Sequence, residues 1–306
     1  MSDLFERWSE RLEPIVEGVS RLLDRWVGAP TRSEVFERTL AFRWRSAGGL
    51  GRLDPIARVA DFDLDDLIGV DRAVEALDRN TRQLLEGLPY NDVLLHGERG
   101  TGKSSAVRGL LARYADRGLR VVEVDRSDLA ELRSCWPSCV GRPPTCPIYS
   151  FLVFCDDLSF GQSEQGFREL KAALEGGIEA RPARVCVVAT SNRRHLLPET
   201  MAENREARVD ARGQLHLGEA LEEKLALADR FGLVLGFYAC DQPTYLEIVA
   251  HWLREGGIGS LDDDAREAAL RYSLERGGRS GRIARQFAND WLGRKRLARE
   301  SGRERH

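Results

Sequence analysis

Gly97-Glu98-Arg99-Gly100-Thr101-Gly102-Lys103-Ser104 is the stretch that decides how the rest of this chain is read. It fits Gly-x-x-x-x-Gly-Lys-Ser/Thr, a loop whose backbone N–H groups turn inward around phosphate oxygens. Its flanks fit as well. Asn91–His96 is a short apolar run of strand character, and Ser105 to Leu111 opens a helix. The N-terminus of that helix adds partial positive charge at the same place. The whole loop, Gly97 to Ser104 with Ser105 behind it, is therefore assigned to the phosphates of a nucleotide. Lys103 would reach the β- and γ-phosphates, and the Ser104 hydroxyl would ligate Mg²⁺. A glycine-rich turn without a ligand is the alternative. Lysine occurs only at Lys103, Lys171, Lys224 and Lys295. Arginine is thus this chain's default cation, and a lysine inside the loop is a chemical choice.

Two further segments follow in the order a nucleoside triphosphatase needs. Phe151-Leu152-Val153-Phe154-Cys155-Asp156-Asp157 is an apolar run ending in two carboxylates. Such a run suits a strand covered on both faces, with its carboxyl end where ligands bind in parallel α/β sheets. Asp156 would hold Mg²⁺ through water, and Asp157 sits where a water-polarising base is needed. Taken alone, an Asp-Asp pair is also what a solvated strand end looks like. A third strand, Val185 to Thr190, ends in Ser191-Asn192. A neutral amide there can orient the attacking water or sense the γ-phosphate. An asparagine opening a turn is the plain alternative.

With these pieces in order, the chain resembles the AAA+ ATPases. The resemblance implies an α/β P-loop core with a parallel sheet and a C-terminal helical lid. It makes Asn192 the sensor 1 residue. Asp229-Arg230-Phe231-Gly232 precedes the apolar run Leu233–Tyr238, a place that in AAA+ proteins often carries an arginine finger delivered to a neighbouring subunit. The resemblance thereby implies a homo-oligomer. Arg279-Ser280-Gly281-Arg282-Ile283-Ala284 is similar to the sensor 2 motif and points to Arg282. Leu67-Ile68-Gly69 falls where these proteins line the adenine pocket, although helix-entry packing would use the same residues. A tighter resemblance is to the uncharacterised bacterial AAA+ family called domain of unknown function 815. It rests on Leu-Leu-His-Gly-Glu-Arg-Gly-Thr-Gly-Lys-Ser-Ser, Phe-Cys-Asp-Asp-Leu-Ser-Phe, Ala-Thr-Ser-Asn-Arg-Arg-His-Leu and Arg-Ser-Gly-Arg-x-Ala-x-Gln-Phe. It implies Mg-ATP hydrolysis coupled to remodelling of a protein or nucleic-acid partner, or a nucleotide-switched loader with weak turnover, and no known substrate. One departure from the wider pattern is Asp156-Asp157 in place of Asp-Glu. Aspartate is one methylene shorter, and a base about 1 Å too far away can lose on the order of 100-fold in rate.

Bulk properties bound this reading. The chain has 306 residues, 42 % of them hydrophobic, and a net charge of −3. That is enough to bury a sizeable core, and the charge argues against a protein coated in nucleic acid. No apolar run approaches the about 18–20 residues that span a bilayer, and Met1-Ser2-Asp3-Leu4 lacks the form of a signal peptide. The sequence therefore reads as cytoplasmic, with no membrane partner. Cys155, Cys186 and Cys240 lie in or beside apolar strands and read as small core residues. Cys135, Cys139 and Cys146 sit in a Pro-rich loop, and three ligands do not close a structural zinc site.

Three parts are expected. Residues 1–60 read as an N-terminal helical segment. Leu4, Trp8, Leu12, Ile15, Val19, Leu22 and Trp26 form an amphipathic stripe, and a second helix is expected from Ser33 to about Trp44. Residues 61–240 read as the α/β core. Residues 241–306 read as a helical lid with a basic tail, opened by Asp241-Gln242-Pro243-Thr244 as a cap. In the lid, Trp252 and Trp291 are expected in the apolar core. The tail from Arg294 to Arg305 reads as a solvated helix end more than as a contact to nucleic acid.

Overall fold

The computed structural model describes residues 33–47, 50–125, 128, 149–158, 174, 183–192, 208–209, 215–216 and 229–303. The stripe of residues 4–26 and the Cys135–Cys146 loop lie outside the described residues.

Helix α1 covers Ser33–Arg38 and stops there. The expected helix to Trp44 is wrong beyond that point: β1 runs Ala41–Ala47 and turns into β2, Leu50–Pro55. The reason is a change of period. Phe42 and Trp44 are buried while Arg43 and Arg45 face solvent, which is strand alternation rather than a helical stripe. The N-terminal part is thus not helical throughout, since residues 41–55 join the sheet of the core. Arg120 locks α1 down. Its buried guanidinium donates to the carbonyls of Phe36 at 2.6 Å and Ala115 at 2.9 Å, and lies 4.5 Å over the Tyr149 ring.

Helix α2, Asp71–Glu86, leads to β3, Val93–Gly97, which the P-loop joins to α3, Lys103–Tyr114. Then come β4, Leu119–Val124; β5, Ser150–Cys155; and β6, Val185–Ser191. A small antiparallel pair, β7 at Arg208–Val209 and β8 at Leu215–His216, stands apart from the sheet. Strand β9, Leu233–Phe237, completes a sheet of seven strands in the order β2-β1-β4-β5-β6-β3-β9. Every pairing in it is parallel except that of β1 with β2. This is the α/β P-loop architecture the motifs called for.

Both faces of the sheet are covered. Phe151, Val153 and Cys155 enter one apolar cluster with Phe42, Trp44 and Phe36 of α1. Leu152 and Phe154 enter a second, with Leu77 and Leu84 of α2 and Leu110 of α3. Strands buried on two sides can be apolar throughout, which is why β5 and β6 lack alternation.

The lid follows as α4, Gln242–Glu255; α5, Asp263–Glu275; and α6, Gly281–Arg303. Asp241 caps α4 by accepting a hydrogen bond from the Thr244 N–H at 2.9 Å, and Asp262 caps α5 in the same way. Tyr245, Val249, Leu253, Ala269 and Phe287 form the lid's own apolar core. No helix among the described residues is long and apolar enough to cross a membrane.

Candidate nucleotide site

The parallel order of β4, β5, β6, β3 and β9 brings their carboxyl ends to one edge. There the P-loop follows β3, Asp156-Asp157 follow β5, and Asn192 follows β6. The lid closes over this edge and leaves a cleft of about 930 Å³. Arg99 to Ser105 line it from the loop, Leu67, Ile68 and Gly69 from the segment before α2, and Arg282 from α6.

The loop is shaped by close approaches on both sides. Gly100 has φ +81°, and a Cβ there would meet the Arg282 Cβ at 2.9 Å. Gly102 has φ +106°, and a Cβ there would meet Leu67 Cδ2 at 2.5 Å. Only glycine satisfies both the backbone region and the space. The Arg282 N–H also donates to the Gly100 carbonyl at 3.1 Å, so lid and loop are joined through the main chain.

Lys103 is buried, 6 % exposed. Its ammonium donates to the carbonyls of Gly97 and Glu98, both at 2.6 Å, and to Asn192 Oδ1 at 3.3 Å. Burial pushes its pKa below the ordinary lysine value, and the charges of Asp156 and Asp157 work against that shift. Gly97 and Glu98 are not among the lining residues; they reach the site through these carbonyls.

The Ser104 hydroxyl donates to Asp156 Oδ1 at 2.9 Å. A hydroxyl and a carboxylate oxygen this close are hard donors suited to Mg²⁺, which takes one or two protein oxygens and completes its shell with phosphates and water. Asp157 has φ +52°. Its carboxylate accepts from the Asn192 amide and lies 3.6 Å from the Arg99 guanidinium. The Asn192 amide therefore bridges Lys103 and Asp157.

Arg230 is not brought to this cleft. It lies in the turn at 229–230, before β9. Asp229 is in the same turn.

Three features escaped sequence reading. Trp252 belongs to the lid core only in part. It lines the cleft, under the Arg285 guanidinium at 4.2 Å. His251 beside it bonds Asp66 Oδ1 at 2.9 Å, tying α4 to the 3-10 turn Leu64–Asp66. Thr190, 1 % exposed, donates to Asp156 Oδ1 at 2.6 Å and accepts from the Asp157 N–H at 2.8 Å. Thr190 lies on β6, but its partners at the end of β5 are remote in sequence. Nothing in sequence ties Trp252 or His251 to the cleft, because their partners are remote. Trp291, by contrast, packs on Phe287 in the lid.

Among curated proteins, none matches the chain. Solved structures that are similar include the Thermotoga maritima RuvB Holliday junction branch migration motor, at 18 % identity and TM-score 0.47, covering 75 % of this chain and 63 % of that one. The Aeropyrum pernix Orc1 protein in complex with DNA is similar at 18 % identity and TM-score 0.47, covering 78 % and 62 %. A DNA replication initiation factor is similar at 17 % identity and TM-score 0.45, covering 82 % and 70 %. The chain thus spans less than two thirds of the first two. The match that carries weight is to a family, over residues 37–295, a range that takes in the P-loop, both carboxylates, Asn192 and the lid. The chain belongs to that family, described as "Protein of unknown function (DUF815)".

Proposed function

We propose that this protein binds Mg-ATP between core and lid, hydrolyses it, and passes the change of nucleotide state through the lid to a protein or nucleic-acid partner. The observation that carries the reading is the convergence of Lys103, Ser104, Asp156, Asp157, Asn192 and Arg282 on one cleft from four separate segments.

The roles follow from chemistry. Loop N–H groups and the α3 N-terminus surround the phosphates. Lys103 exchanges its carbonyl partners for β- and γ-phosphate oxygens. Ser104 and Asp156 would hold Mg²⁺, which when bound would offset charge on those phosphates. Asp157 takes the proton of the attacking water, and Asn192 fixes the direction of approach. Arg282 offsets charge from the lid. Leu67, Ile68 and Gly69 face the adenine. Arg230 acts on the nucleotide of a second copy, so the working form is a homo-oligomer.

A second reading, a nucleotide-gated loader with slow turnover, is favoured by one observation. Asp157 is shorter than glutamate and already engaged by Asn192 and Arg99.

Phosphate release from Mg-ATP tests the choice. Asp157→Asn keeps size and removes the base. The variant should bind ATP as the wild type does, while turnover falls by about 10²-fold or more. Wild-type turnover in the variant would remove Asp157 from the mechanism. Turnover too slow to measure in the wild type, with tight binding retained, would select the loader.

A further inference from the structure

Strand β6 contributes more to the cleft than the amide at its tip. Thr190 is 1 % exposed, and a hydroxyl that deeply buried must satisfy both its proton and its lone pairs. It does so on two consecutive residues of another strand's end. Its proton goes to Asp156 Oδ1 at 2.6 Å, and its oxygen accepts the Asp157 N–H at 2.8 Å. The Thr190 carbonyl takes the next N–H, that of Leu158, at 2.7 Å. One residue thus grips Asp156, Asp157 and Leu158 in succession.

The grip has a conformational counterpart. Among the described residues, Asp157 is the non-glycine residue at positive φ, +52°. That region is unfavourable for a side chain and persists only where the surroundings over-determine it. Here Thr190 holds the backbone on one side while Asn192 holds the carboxylate on the other. The Asp157 carboxylate lines the cleft from this turn.

Asp156 Oδ1 receives two hydroxyl donors, Ser104 at 2.9 Å and Thr190 at 2.6 Å. The two differ in what they can do next. The Ser104 oxygen is the one that would serve as a ligand of Mg²⁺. Thr190 belongs to a central strand of the sheet and stays.

We propose that Thr190 is a positioning residue for both carboxylates. It orients the Asp156 carboxylate that would hold Mg²⁺ and fixes the backbone turn at Asp157. The inference rests on the ATPase reading above and adds a residue to it.

Valine matches threonine in shape and lacks the hydroxyl. Thr190→Val should bind ADP in the absence of Mg²⁺ as the wild type does, measured by titration calorimetry. Its Mg²⁺ requirement for tight ADP binding should rise by about 10–100-fold, the usual scale for losing the partner of a metal-binding carboxylate. Its kcat should fall on the same scale, with little change in KM for ATP. Thr190→Ser restores the hydroxyl and should recover most of both losses. Thr190→Ala serves the same comparison if the valine variant does not fold. A hydroxyl-free variant with the wild-type Mg²⁺ dependence and kcat overturns the inference. So does a serine variant as impaired as valine with an equal drop in melting temperature, since that is a packing effect. Wild-type protein that neither binds nor hydrolyses ATP would instead overturn the ATPase reading on which the inference rests.

Discussion

Gly102 and Gly257 separate two effects that a glycine can have. Both have positive φ, +106° and +89°. A Cβ at Gly102 would run into Leu67, whereas one at Gly257 would meet nothing within 4 Å. Gly257→Ala should therefore cost only the backbone term, about 1–2 kcal/mol, and leave ATP affinity unchanged. Gly102→Ala should cost more and weaken ATP binding, because Leu67 and the loop N–H groups must both move. Urea denaturation and calorimetry on the two variants check this, and equal behaviour would mean the loop's shape does not depend on Gly102. At this scale the sequence was readable wherever chemistry demands a residue type. Lys103 donates to Asn192 and Ser104 donates to Asp156, so residues singled out by type do meet in the structure. It was not readable where a common residue gains its role from a distant partner. Thr190 becomes special only once β5 lies beside β6, and Trp252 only once α6 lays Arg285 across it.

Strand β1 shows what decides an element. The alternation of buried Phe42 and Trp44 with exposed Arg43 and Arg45 is a strand signal that a helix begun at Ser33 does not accommodate. Its reward comes from β4, remote in sequence, which pairs with β1 in parallel. Trp44 is 1 % exposed in the first apolar cluster, and Arg45 carries a surface ion pair with Asp54 at 3.1 Å. Trp44→Ala should cost about 3–5 kcal/mol, whereas Arg45→Ala should cost no more than about 1 kcal/mol. Chemical denaturation distinguishes these values. A Trp44→Ala loss below that of Arg45→Ala would mean β1 is an appendage rather than part of the core. The central strands were legible because continuous apolar runs need cover on both faces, and the helices α2 and α3 supply one of those covers.

At the scale of the whole molecule, the lid meets the core through two hydrogen bonds, Arg282 on Gly100 and His251 on Asp66, and through Ile68 and Phe62, which pack on the lid and on Trp252. Under the proposed function, nucleotide state would set the angle between the two across this joint. Arg230 lies away from its own chain's cleft, before an edge strand of the sheet. If it serves a neighbour, Arg230→Ala should bind ATP normally and hydrolyse it about 10³–10⁵-fold more slowly, as with arginine fingers generally. Mixing it with Lys103→Ala should restore part of the activity, since a mixed interface pairs an intact loop with an intact Arg230. A lowered melting temperature without rescue would assign Arg230 to structure. Light scattering with a non-hydrolysable ATP analogue gives the assembly state, and a monomer at every concentration would exclude a role in trans.

The most direct test of the central claim is calorimetric titration of Mg-ATP into the wild type and into Lys103→Ala. Lys103 is the cation held inside the loop, 6 % exposed, and its carbonyl partners are where phosphate oxygens would compete. The account predicts saturable one-to-one binding by the wild type and none measurable in a folded variant. Equal affinity in both proteins would contradict it, because the loop would then not be holding the phosphates.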